Sequence, residues 1–126
     1  MIGSTRKLRV WAYPAPTDLR KGFDGLFSLV AQQLSQDVLA GDYFLFCNRR
    51  RTRAKVLFWD GTGLCILMKR LERGRFACLW REEGSEGVEL TVSELALYLE
   101  GSRLLGKVVL SPPPFIPGGV VPKLKM

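Results

Sequence analysis

The side chains in this sequence best placed to do chemistry are arginines. The run Asn48-Arg49-Arg50-Arg51-Thr52-Arg53-Ala54-Lys55 puts five cations into the seven positions from Arg49, and no acidic residue lies between Asp42 and Asp60 to neutralise them. Cations held this close repel one another, and a polyanion relieves that repulsion while shedding its condensed counterions. Guanidinium forks match phosphate oxygens in shape. Same-face residues of an extended strand recur every ~6.6 Å, so Arg49, Arg51, Arg53 and Lys55 would line one edge and meet successive phosphates. A second basic set, Lys69, Arg70, Arg73 and Arg75, flanks Gly74. Alternate turns of a meander would put the two sets at opposite ends of a sheet, or along one face if the strands are long. The competing reading of both sets is plain solvated surface, with charge that keeps a sheet edge from aggregating.

Other chemistries find less support. The chain has no histidine, which removes His-based triads, His-ligated metals and imidazole bases. Cys47, Cys65 and Cys78 are 18 and 13 positions apart within apolar runs. That spacing fits neither a disulfide framework nor a CxxC zinc site, and each reads as a small buried hydrophobe in a reducing compartment. Asp18, Asp24, Asp42, Asp60 and Glu72 would be the raw material of a two-metal nuclease. Aspartates at helix starts and beside glycine are more often caps and turn formers, and Asp18, Asp42 and Asp60 fit that pattern. Trp11, Trp59, Trp80 and the phenylalanines can stack on unpaired bases, but in short apolar runs they read as core. No GxGxxG, Walker loop or GxSxG motif is present, so neither a cofactor nor a small-molecule substrate is expected.

Composition sets the frame for these residues. At 126 residues, 47% hydrophobic and 25% charged, the chain is one ordinary globular domain. The net charge of +7 is uneven: residues 1–81 carry 15 basic and 6 acidic side chains, residues 82–126 carry 4 and 6. Such asymmetry points to one basic face. No apolar run approaches the ~18 residues needed to span a bilayer, and the first ten residues lack the apolar stretch of a secretory signal. A cytoplasmic protein with no membrane partner is expected.

The elements that must position the arginines follow from periodicity. Leu8-Arg9-Val10-Trp11-Ala12-Tyr13, stopped by Pro14 and Pro16, reads as a short edge strand. Thr17 or Asp18 would cap a helix whose stripe is Leu19, Phe23, Leu26, Phe27, Val30 and Leu34. Gly22 and Gly25 weaken that helix by about 1 kcal/mol each, so either packing holds it or the glycines admit something close to the backbone. Tyr43-Phe44-Leu45-Phe46-Cys47, Val56-Leu57-Phe58-Trp59, Leu64-Cys65-Ile66-Leu67-Met68 and the run at 76–80 read as strands, with the arginine cluster at the tip of the first hairpin. Residues 82–89 read as an acidic surface loop. Thr91-Val92-Ser93-Glu94 opens a second, short helix with a capping box, and Gly101 closes it. The expected fold is α+β: an antiparallel meander of about four to six strands with one helix packed on it and a second short helix near the C-terminus. The domain would cover residues 1–110, leaving 111–126, with five of the seven prolines, as an extended tail.

The order of motifs resembles a known family. Thr17-Asp18-Leu19-Arg20-Lys21-Gly22-Phe23-Asp24-Gly25-Leu26, Asn48-Arg49-Arg50-Arg51, Lys55-Val56-Leu57-Phe58-Trp59-Asp60-Gly61-Thr62-Gly63-Leu64, Lys69-Arg70-Leu71-Glu72-Arg73-Gly74-Arg75-Phe76 and Leu99-Glu100-Gly101 together resemble the small accessory proteins, called TnpB or the second reading frame, of the bacterial insertion-sequence family numbered sixty-six. These are distinct from the RNA-guided nuclease of the same name. The likeness covers roughly residues 8–105; it departs after Phe76, where Ala77-Cys78-Leu79-Trp80 stands in place of an aromatic–proline pair, and in the proline-rich end. The resemblance implies a helper of transposition encoded beside a separate DDE transposase that performs the strand chemistry. It carries over to Asp18, Arg20, Lys21, Asn48, Arg49, Arg50, Arg51, Lys55, Trp59, Asp60, Arg70, Glu72 and Arg75.

Residues and resemblance together give a non-catalytic DNA-binding accessory protein. Its expected phosphate contacts are Arg49, Arg50, Arg51, Arg53, Lys55, Arg20, Lys21, Lys69, Arg70, Arg73 and Arg75. Its expected partners are DNA, the transposase and another element-encoded accessory protein, with nucleoid association when bound. Replacing Arg49, Arg50 and Arg51 together should weaken binding without unfolding the protein. The alternative is a protein–protein adaptor that docks on the transposase without touching DNA. RNA binding through exposed aromatics and a magnesium-dependent nuclease are the remaining readings.

Overall fold

The computed structural model describes residues 8–80 and 88–101. Five strands form one mixed, mostly antiparallel sheet: β1 (Val10–Ala12), β2 (Tyr43–Cys47), β3 (Arg53–Trp59), β4 (Leu64–Arg70) and β5 (Val88–Leu90), in the spatial order β4-β3-β2-β1-β5. Two helices accompany them, α1 (Phe23–Leu29), which continues as a π-helical turn over Val30–Leu34, and α2 (Val92–Leu99). The fold is therefore α+β, as its alternating periods suggest.

The meander holds only for β2, β3 and β4. β1 is an interior strand, parallel to β2 on one side and antiparallel to β5 on the other, and not the expected edge. Parallel neighbours need a long crossover, supplied here by residues 13–42 with α1 inside them. Pro14 and Pro16 fall just outside the ladder, so they do not interrupt it. The buried carboxylate of Asp42 ties the two strands together, accepting hydrogen bonds from the Trp11 indole Nε1 (3.1 Å) and the Arg9 backbone N–H (3.3 Å). Two further expectations fail. Residues 76–80 make no strand: after the turn at Gly74 they cross the sheet, and Phe76, Ala77 and Leu79 bury themselves in its core. Val88 and Glu89, expected at the end of a loop, belong with Leu90 to β5; residues 81–87 lie outside the described part. The expected boundary at 110 and the 111–126 tail also lie outside it.

Both faces of the sheet are covered, which explains why β2 reads as an unbroken apolar run. On one face Val10, Ala12, Leu45, Cys47, Ala54 and Val56 meet Phe76, Leu79, Leu95 and Tyr98, with the Phe76 and Tyr98 rings stacked 5.0 Å apart. On the other, Phe44, Phe46 and Leu57 meet Leu19, Leu26, Val30 and Val38. Burying a side chain of this size contributes roughly 1.5–3 kcal/mol, so these two layers hold the strands in register.

Helix α1 starts at Phe23, capped by Gly22 without a side-chain hydrogen bond, so neither Thr17 nor Asp18 is its cap. Gly25 has a local reason to be glycine. A Cβ there would lie 3.0 Å from the Lys21 Cβ, so the missing side chain leaves room for Lys21. Helix α2 has the expected box: the Thr91 hydroxyl accepts from the Glu94 N–H and the Glu94 carboxylate from the Thr91 N–H, and Gly101 follows at φ +79°.

Candidate nucleic-acid interface

The turn between β2 and β3 is built by Asn48. Its Oδ1 accepts from the backbone N–H groups of Thr52 (2.9 Å) and Arg53 (3.0 Å), and its Nδ2 donates to the Thr52 hydroxyl. An Asx-type turn of this kind needs the short amide side chain ahead of the cations. Arg49 and Arg50 emerge exposed at the tip. Arg51 does not: its backbone sits at φ +61°, its Nη1 donates to the Phe76 carbonyl (3.2 Å), and its own carbonyl accepts from the Phe76 N–H (2.7 Å). This one arginine fastens the returning 76–80 segment to the hairpin.

Arg53 and Lys55 belong to β3 rather than to the tip, and they share the face covered by α1. Arg53 is exposed. The Lys55 ammonium is taken up internally, donating to the carbonyls of Leu19 (2.7 Å) and Lys21 (3.0 Å). With the Thr17 N–H donating to the Cys47 carbonyl (2.9 Å), it pins residues 17–21 against the end of the sheet. The four cations expected along one strand edge are thus split: Arg49 and Arg53 face solvent, while Arg51 and Lys55 hold the framework that presents them.

That pinning brings Arg20 beside the hairpin. Arg20, Arg49, Arg50 and Arg53 rim a cleft of ≈ 540 Å³ whose wall includes Pro16, Leu19 and Met68. Arg20 makes a forked contact with Asp18, with Nη2–Oδ2 at 2.8 Å and Nε–Oδ1 at 3.0 Å, and this hydrogen bonding holds the Asp18 carboxyl far below its ordinary 3.8. Asp18 therefore stays ionised and offsets one of the four charges. Arg49, Arg50 and Arg53 have no ion-pair partner among the described residues.

The second basic set lies at the same end, not the opposite one. β4 runs antiparallel to β3, so its C-terminus returns to where β3 began: Arg70 pairs with Arg53, and the Leu71 N–H donates to the Thr52 carbonyl (2.9 Å). Arg70 is drawn to Glu72 at 3.2 Å. Arg73 and Arg75 are exposed, as is Lys21, while Lys69 is half-buried on the other face opposite Ala54. One end of the sheet thus collects both basic sets, with Asp18 and Glu72 as local counter-charges.

The remaining candidates separate. Asp60 organises the β3–β4 turn at the far end, its Oδ1 accepting from the N–H groups of Thr62 and Gly63, and these bonds lower its pKa. Among the described residues no group of three or more Cys, Asp or Glu is placed to hold a metal ion. No helix among them is long and apolar enough to cross a membrane. Cys47, Cys65 and Cys78 are free thiols, and burial pushes Cys47 up to about 11. Trp11, Trp59 and Trp80 pack partly buried against the two core clusters. The residues that sequence reasoning missed are Pro16, Leu19 and Met68, which wall the cleft. Only Met68 carried a signal, as an apolar residue directly before the Lys69-Arg70 pair.

The family described as IS66 Orf2 like protein matches residues 8–107. Two proteins of Sinorhizobium fredii (strain NBRC 101917 / NGR234), the uncharacterized proteins y4jC and y4hO, are each 35% identical over 101 residues; these span 80% of this chain and 85% and 86% of theirs. No solved structure matches the chain.

Proposed function

The chain belongs to the IS66 Orf2-like family, and from that premise we propose that it is a non-catalytic accessory protein of insertion-sequence transposition that holds nucleic-acid phosphates at the basic end of its sheet. The observation that carries this reading is the convergence of Arg20, Arg49, Arg50 and Arg53 on one cleft, three of them without a carboxylate partner among the described residues. A protein gains no stability from gathering exposed cations, so the arrangement favours an anionic ligand. Arg70, Arg73 and Arg75 extend the same end and would follow the backbone outward. The transposase and a second accessory protein are the proposed protein partners, in a cytoplasmic, nucleoid-associated setting.

Fluorescence anisotropy against a labelled duplex tests this. If Arg49, Arg50 and Arg53 neutralise three phosphates, log K falls against log[salt] with a slope of about −2.7. Absence of binding to both this duplex and its separated strand at ~50 mM salt overturns the proposal. The adaptor reading has its own support: Leu67 and Met68 of β4, the outermost long strand, are 48% and 49% exposed, and a long apolar edge invites pairing with another chain. It predicts co-purification with the transposase without any shift of DNA.

A further inference from the structure

We propose that the arginine cleft receives an unpaired nucleotide, with the phosphate on the guanidinium rim and the base against the wall of Pro16, Leu19 and Met68. The inference rests on the phosphate-binding reading and adds the form of nucleic acid. Leu19 also serves the core, but phosphate contact alone leaves the exposed Met68 of that wall without a role. Met68 is 49% exposed between cations: it lies directly across from Lys55, and Arg53 and Arg70 are its neighbours on the same face. A duplex keeps its base faces stacked inside and offers such a surface nothing, whereas an unstacked base has a face to bury, and guanidinium planes are themselves stacking partners for it. The cleft volume of ≈ 540 Å³ falls within the ~300–1,000 Å³ range of small-ligand sites.

The polar groups in the cleft define what it does not read. Asn48 spends both ends of its amide on Thr52 and Arg53, the Thr17 hydroxyl donates to the Ala15 carbonyl, and Asp18 is engaged by Arg20. None of these three side chains is turned toward a base edge, so the cleft holds single strands with little preference for sequence.

The test compares three oligonucleotides of equal length and label: a mixed-sequence single strand, the matching duplex, and a strand whose central nucleotides are abasic, which keeps every phosphate and removes the bases. The unmodified protein is expected to bind the intact strand roughly five- to ten-fold more tightly than the abasic strand, the scale of one stacked base. Met68→Ser, a change at a half-exposed position, should remove most of that difference. Equal affinity for intact and abasic strands overturns this proposal and leaves phosphate binding standing. Absence of binding to all three overturns both.

Discussion

The triplet Arg49-Arg50-Arg51 predicts two different phenotypes from three identical side chains. Arg49 and Arg50 are exposed with no ion-pair partner among the described residues, so Arg49→Ala/Arg50→Ala should change stability by less than about 0.5 kcal/mol. It also removes two of the three uncommitted cations of the cleft. The salt slope should flatten from about −2.7 to about −0.9, so raising salt from ~50 to ~200 mM weakens binding roughly 40-fold in the unmodified protein and only about 3- to 4-fold in the variant. Arg51→Ala acts on the fold. It deletes the hydrogen bond to the Phe76 carbonyl and leaves alanine at φ +61°. A hydrogen bond to a charged donor contributes about 1.5–3 kcal/mol, which lowers Tm by roughly 6–15 °C in a domain of this size. Thermal melts and anisotropy titrations of both variants decide the matter. Should Arg51→Ala melt like the parent, or the double variant keep the parental slope, the three arginines do not divide their roles in this way. The triple variant, expected from sequence to stay folded, would confound the two effects.

Further expectations attach to single contacts. Asp18→Asn releases Arg20, so binding should tighten at low salt and the slope steepen by about 0.9; because the Asp18 carboxyl is held far below 3.8, acidifying from pH 7 to 5 should not reproduce the effect. Lys55→Met keeps the apolar stem but loses both bonds to the Leu19 and Lys21 carbonyls, and should lower stability by about 2 kcal/mol in urea titrations. The Cys47 thiol has its pKa raised from 9.0 to about 11 by burial. Folding therefore favours its protonated form, and the stability this contributes is complete below pH 9 and is lost as pH rises through 11. Cys47→Ala should flatten the decline of stability across that window, and in the parent protein Cys65 and Cys78 should be alkylated well before Cys47.

The parts of the fold visible in the sequence are those decided locally. Tyr43–Cys47 is a run that only a doubly covered strand explains, and the Thr91–Glu94 box announces α2. What escaped depends on partners far along the chain. β5 is three residues long, and its pairing with Val10–Ala12 leaves no periodic trace. Residues 76–80 have strand-like composition, yet burial beneath Tyr98 competes with ladder pairing and wins. The candidate site divides the same way. Five clustered cations can be read directly, but which of them turn inward is set by carbonyls 25 residues away for Arg51 and 36 for Lys55. Nothing in a charge pattern encodes that. The cleft itself arises from a tertiary contact, the pinning of residues 17–21 by Lys55.

Arg53 tests whether the basic end is a functional device or ordinary surface. It stands directly opposite Arg70 in the β3–β4 ladder, and like charges in facing positions destabilise a sheet by about 0.2–1 kcal/mol. Glu72 takes up Arg70 at 3.2 Å, an exposed pair that offsets little of this. Threonine is a better strand residue than arginine at such a site, so Arg53→Thr should stabilise the protein by about 0.5 kcal/mol. The same change removes a rim cation and should weaken nucleic-acid binding. Opposite signs in the two assays mark a residue kept for binding at the expense of folding. Added salt separates the effects further, since screening the Arg53–Arg70 repulsion should raise the Tm of the parent more than that of the variant. A variant that is less stable and binds normally would make Arg53 a structural residue, and the cleft would lose the cation that links its rim to the sheet.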